Sequence, residues 1–167
     1  MLKFVPIAAA ALMAMSAHAV QKDITVTATV DTTLEMLSAD GSPLPTTMRM
    51  QYLPGSGLQP AVVNTKIFTN DTARDVQIRL ASSPSLTNQT NPSADDVALT
   101  VKLGGNELTT TASTLTAATT FPGTVAEGSV VLPLSIAQTT VAPITASGSY
   151  QGLVSLVLTQ AAAAVTP

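Results

Sequence analysis

Apolar and polar residues alternate one by one along much of this chain. Ile24, Val26, Ala28 and Val30 alternate with Thr25, Thr27 and Thr29; Val76, Ile78 and Leu80 with Gln77 and Arg79; Val97, Leu99, Val101 and Leu103 with Ala98, Thr100 and Lys102. A two-residue period puts every second side chain on one face of an extended chain and gives no helical stripe. These segments are therefore predicted to be strands with one buried face, and the fold must supply partners for all of them.

The remaining runs fit the same pattern. Leu34 to Leu37 leads into the turn residues 39–43, after which Met48, Met50 and Tyr52 alternate with Arg49 and Gln51 up to the breaker at 54–57. Val62 to Thr69 is rich in β-branched residues and suits a strand neighbouring the one at Val76 to Leu80. Residues 82–96 read as a polar loop, Gly104-Gly105-Asn106 as a hairpin, and Thr109 to Thr120 as a surface loop or weak edge of low complexity. Val130, Leu132, Leu134 and Ile136 resume the alternation, with Pro133 pointing to an edge or bulged strand. Tyr150 to Thr159 is apolar on both faces and is predicted to lie centrally. About eight strands with frequent turn signals and no convincing helix point to an all-β fold, a Greek-key sandwich first and a barrel second.

The first nineteen residues follow a different rule. Lys3, the apolar run Phe4 to Met15 and the small residues at 16–19 match a secretory signal peptide with cleavage between Ala19 and Val20. Removing these 19 of 167 residues leaves 148, enough for one domain with a real core. Six basic residues then face ten acidic ones, a net charge of −4 with no basic cluster, which excludes nucleic acid as a partner.

The chain has no cysteine, and its single histidine, His18, falls in the segment to be cleaved. Thiol nucleophiles, histidine-based triads and ordinary zinc sites lose their essential residues. Asp95-Asp96 is the one carboxylate pair, and neighbours on a strand point to opposite faces; in a loop rich in Pro, Ser and Asn it reads as solvated surface. The sequence thus predicts no enzyme, no metal and no cofactor.

Four stretches carry a family resemblance: Val20 to Asp31 (VQKDITVTATVD), Leu37 to Pro45 (LSADGSPLP), Phe68 to Asp71 (FTND) and Gly148 to Thr159 (GSYQGLVSLVLT). Together they span the chain after residue 19, and it resembles the major pilins of the alternate chaperone-usher class, the group of the colonisation-factor fimbriae and the cable pilus. The resemblance implies an immunoglobulin-like sandwich lacking its last strand, completed by the N-terminal strand of a neighbouring subunit. It divides the chain into a signal peptide (1–19), a donor-strand extension (20–33), a sandwich domain (34–160) and a C-terminal tail (161–167). Ile24, Val26, Ala28 and Val30 would form the donor face, and Tyr150, Gly152, Val154, Leu156 and Leu158 would border the acceptor groove.

The partners implied are other copies of the chain, a periplasmic chaperone, an outer-membrane usher and a tip adhesin, and the destination is a fimbria on the cell surface. The chain departs from the family at Thr32, where relatives carry proline, and in the longer tail. A minor or tip adhesin of the same system and a free carbohydrate-binding sandwich are the alternatives. The first would usually carry an additional receptor-binding domain. The second should expose clustered aromatics, and only Tyr52, Tyr150, Phe68 and Phe121 remain after cleavage.

Overall fold

The structure, a computed structural model, describes residues 34–162. Along the chain these form β1 (Leu34–Ser38), β2 (Tyr52–Leu53), β3 (Gly57–Leu58), β4 (Ala61–Thr69), β5 (Val76–Leu80), β6 (Ser85–Asn88), β7 (Val97–Leu103), β8 (Asn106–Leu108) and β9 (Ser113–Leu115). A helical turn α1 (Ala117–Thr120), a 3-10 turn (Val125–Glu127), β10 (Leu132–Gln138), β11 (Tyr150–Gln151) and β12 (Leu156–Gln160) complete it. One sheet has the order β1-β4-β10-β7-β6-β11, with β8 folded back on β7; the other has the order β12-β5-β9; β2 and β3 form a separate hairpin. All pairings are antiparallel.

The alternation seen in the sequence builds the core. In β5 the residues Val76, Ile78 and Leu80 are buried between exposed Gln77 and Arg79. Ile78 and Leu80 pack with Leu99, Val101 and Leu103 of β7 and Leu134 and Ile136 of β10 across the sandwich, while Val76 joins Ile67, Ala117 and Phe121 in a smaller cluster. Each such side chain contributes roughly 1.5–3 kcal/mol on burial. The predicted hairpin joins β7 to β8: Leu103 pairs with Asn106, and Gly104 and Gly105 both take positive φ (56° and 86°), as a two-residue turn of primed type requires.

Several expectations are corrected. The strands at 61–69 and 76–80 are not neighbours: β4 pairs with β1 and β10, whereas β5 lies in the other sheet between β12 and β9. The crossing at 70–75 is organised by Asp71, which accepts the Ala73 N–H and pairs with Arg74 at 2.8 Å. Pro133 sits in β10, a central strand. Its carbonyl accepts Gly104 N–H (3.0 Å), so its nitrogen points the same way, toward the turn where β7 has already ended, and no ladder bond is lost there. Val130 is exposed and precedes β10.

The loop predicted at 82–96 contains β6, and buried Asn88 anchors it by accepting the N–H groups of Thr90 and Asn91. The Thr-rich stretch supplies β9 at a sheet edge, as expected, and also α1, whose first N–H is capped by Asp75 Oδ1 at 2.7 Å. The apolar segment at 150–159 is not central. It is divided into β11 and β12, each at the edge of its sheet.

Candidate functional site

Followed around the molecule, paired strands succeed one another from β1 through β4, β10, β7 and β6 to β11. At Ala81 to Pro84 the β5–β6 run passes from one sheet to the other, and its partner follows: Leu156 pairs with Leu80, Ala81 N–H donates to Ser155 O (2.9 Å), and Gln151 pairs with Thr87. Among the described residues the succession stops between this β11–β12 run and β1. A groove of about 1140 Å³ lies there.

One wall begins where β1 ends. Asp40 accepts both the N–H and the hydroxyl of Ser42 (3.0 and 2.6 Å), and Gly41 takes φ 84°, so the chain turns out of the sheet. The hydroxyl bond first, and the amide bond with it, hold the Asp40 carboxyl below its usual range. Beyond the turn, Leu44, Met48 and Met50 are half-buried while Arg49 is exposed, and both methionines pack against the main core cluster. The alternation is that of a strand, yet among the described residues 44–50 make no main-chain to main-chain hydrogen bond.

The other wall is the C-terminal run, in which Tyr150, Gly152, Val154 and Leu156 line the groove. Gly152 has a physical reason to be glycine: a Cβ there would collide with the Ser85 carbonyl, so the run can lie this close to β6 only without a side chain. Leu158, predicted with this row, lies beyond the groove and packs against both core clusters. Leu153, between Gly152 and Val154, also lines the groove and is 78% exposed. Ala61, Val63, Leu86, Leu99, Leu134 and Ile136 are the apolar side chains at the bottom, and Arg49 is the one charged side chain among the lining residues.

Such a groove combines an apolar floor with unpaired backbone on its rim, and both cost free energy when left uncovered. It offers no catalytic constellation: Asp95 and Asp96 are exposed outside it, with Asp96 accepting a long bond from Ser85 (3.4 Å). No cluster of three potential metal ligands occurs among the described residues. What the arrangement can do is take up an extended segment that pairs with the rim and buries alternate side chains. The predicted donor residues Ile24, Val26, Ala28 and Val30 and the predicted cleavage site Ala19 and Val20 lie outside the described residues. The alternation of Met48, Met50 and Tyr52 is read in the sequence as a strand, but only Tyr52–Leu53 forms one; residues 44–50 stand as the wall of the groove, a role that the alternation alone does not assign.

Comparison with known proteins is consistent along the chain. The family model described as CS1 type fimbrial major subunit matches residues 20–159. The CFA/I fimbrial subunit of Escherichia coli O78:H11 (strain H10407 / ETEC) is 39% identical over 154 residues, covering 88% of this chain and 89% of that protein. The CS1 fimbrial subunit of Escherichia coli is 37% identical over 153 residues, covering 87% and 88%. The solved CooA pilin from enterotoxigenic Escherichia coli superimposes with a TM-score of 0.66 at 31% identity, over 77% of this chain and 87% of that one.

Proposed function

The chain belongs to the CS1 type fimbrial major subunit family, and from that premise we propose how it assembles: the extension at 20–33 of one copy fills the groove of the next. The protein is a structural subunit of a chaperone-usher fimbria with an immunoglobulin-like sandwich fold, and its family polymerises into fibres. The observation that carries the proposal is the groove itself, apolar at its floor and flanked by the unpaired run 44–50 and the edge run β11–β12.

In this reading Ile24, Val26, Ala28 and Val30 point into the groove, Tyr150, Gly152, Val154 and Leu156 border them, and Leu158 supports the wall from the core side. Burying Ile24, Val26 and Val30 contributes roughly 1.5–3 kcal/mol each, and each main-chain bond about 1 kcal/mol net. Such a joint needs no covalent link. Cleavage between Ala19 and Val20 frees the extension, and the start of the family match at residue 20 supports that boundary. An uncovered groove is an aggregation hazard, which gives a reason for a periplasmic chaperone to occupy it until an outer-membrane usher exchanges it for the next extension, with a tip adhesin ending the fibre.

The direct test is a pair of substitutions on opposite faces of the extension. Val26→Asp places an unpaired charge in the joint and should abolish fibres seen by electron microscopy while the protein still accumulates in the periplasm. Thr27→Asp should leave most fibres intact. Equal loss in both would overturn the assigned face.

A further inference from the structure

A single short stretch of chain ties the two walls of the groove to each other. Between Thr139 and Ser149 the chain crosses from β10 to β11, and among the described residues 140–148 make no main-chain to main-chain hydrogen bond. Side chains hold this crossing. Gln138 Nε2 donates to Ala142 O and Asn88 Nδ2 to Ser147 O, both at 3.1 Å, and these bonds pin its two ends. Between the pins two bonds remain: Tyr52 donates its hydroxyl to Ile144 O (3.3 Å), and Tyr150 donates its own to Ala146 O (3.0 Å). Tyr52 follows the wall at 44–50, and Tyr150 begins the opposite wall. The segment 143–146 is therefore a bridge from wall to wall.

The same segment is a partition. Ile144, Thr145 and Ala146 line the groove and also a second cavity, of about 500 Å³, whose other lining residues include Ala94 and Ala98. A strand entering the groove needs a neighbour about 4.8 Å away on each side, so the walls must be able to part and settle around it. Room to retreat exists behind the partition.

We infer that residues 143–146 are a latch on the groove: the two tyrosine hydroxyls hold the walls together while no strand is bound, and the segment moves into the side cavity when one enters. The inference rests on the reading of the groove as a strand acceptor and adds a control on the rate of entry. Breaking the hydroxyl bonds belongs to the barrier, so removing them speeds entry. Filling the cavity behind the partition slows it.

The test follows uptake of a fluorescent peptide with the sequence of residues 20–31 by the full-length secreted protein, freed of any chaperone and kept dilute enough to stay monomeric, so that the groove starts without a strand. Tyr52→Phe and Tyr150→Phe should each raise the uptake rate about threefold to tenfold, the scale set by one hydrogen bond, with little change in the release rate. Ala94→Phe should slow uptake by a similar factor. Effects of opposite sign cannot come from a general loosening of the fold. Should Tyr150→Phe fail to fold, Tyr52, which is 43% exposed, carries the same test with little structural risk. Wild-type uptake rates in tyrosine variants that melt normally would overturn the latch, as would an Ala94→Phe variant that is not slowed. No uptake by any form, wild type included, would remove the strand-acceptor reading and the latch with it.

Discussion

The corner at Ala81 to Pro84 and the gap beside β1 both adjoin runs of alternating apolar and polar residues, and they are finished in opposite ways. At the corner, β5 runs on into β6 and the β11–β12 run follows it from one sheet to the other, with seven steps from Leu80 to Thr87 against five from Leu156 to Gln151, so the same two runs are partners on both sides of the turn. At the gap, Met48 and Met50 alternate with polar residues as regularly as any strand, but their backbone has no main-chain partner among the described residues. Alternation fixes which face is buried; it does not say whether the partner is in the same chain. On the proposed assembly the partner at the gap comes from another copy, and the apolar floor at Val63 and Leu134 faces the groove it would fill.

The strongest way to break this comparison is to supply the missing segment from within. Moving residues 20–31 to the C-terminus through a flexible linker should close the gap and give a soluble monomer that no longer polymerises. Its melting temperature should exceed that of the chain lacking those residues by about 10 °C or more, since a domain of this size gains roughly 2–4 °C per kcal/mol. Simple deletion should leave a protein that aggregates on its own. A deleted form that is monomeric and equally stable would show that the gap needs no strand.

The corner can be attacked in turn. Gly152→Ala puts a methyl group against the Ser85 carbonyl, which belongs to the main chain of β6 and cannot rotate away. Overpacking of this kind costs about 1–3 kcal/mol. The melting temperature should fall by several degrees, and the peptide of residues 20–31 should dissociate faster because the wall it borders is displaced. A substitution without effect on either would place the C-terminal run farther from β6 than the structure does.

Much of this contrast was legible in the residues, and what was missing has one physical character. The buried rows of β5, β7 and β10 and the Gly104-Gly105 hairpin depend on near neighbours in sequence and were read correctly. The separation of β4 from β5 depends on partners distant in sequence, and a two-residue period is the same in either sheet. Helix α1 is capped by Asp75, 42 residues away, so four weakly helical residues gave no sign of it. Strand β6 was hidden because its buried anchor is polar, Asn88. The row Tyr150 to Leu156 was readable as a strand, and only resemblance to pilins assigned it to a groove. The alternation at 48–52 was likewise readable, but its place as the opposite wall and the Tyr52 bond to the crossing at 143–146 depend on partners distant in sequence.

The smallest effect concerns acid, and it separates the two regions by their chemistry. No carboxylate lines the groove among the described residues, so strand uptake should be flat between about pH 5 and pH 8. Asp40, at the turn that launches the open wall, is different: its bonds from the Ser42 hydroxyl and then the Ser42 amide depress its pKa in the folded protein. A depressed carboxylate stabilises fully above its unfolded pKa, and this contribution is lost as pH falls through the folded value. The loss therefore begins below about pH 4. Glu127 behaves in the same sense, held down chiefly by the Thr124 amide, but it lies away from the groove. Both groups are fully exposed, so the effect is slight. Asp40→Ala should lower the melting temperature a little at neutral pH and converge with the wild type in acid, and Glu127→Ala should do the same without changing peptide uptake. If Asp40→Ala also leaves uptake unchanged at every pH, the turn does not position the 44–50 wall, and that wall must be held by the packing of Met48 and Met50 alone.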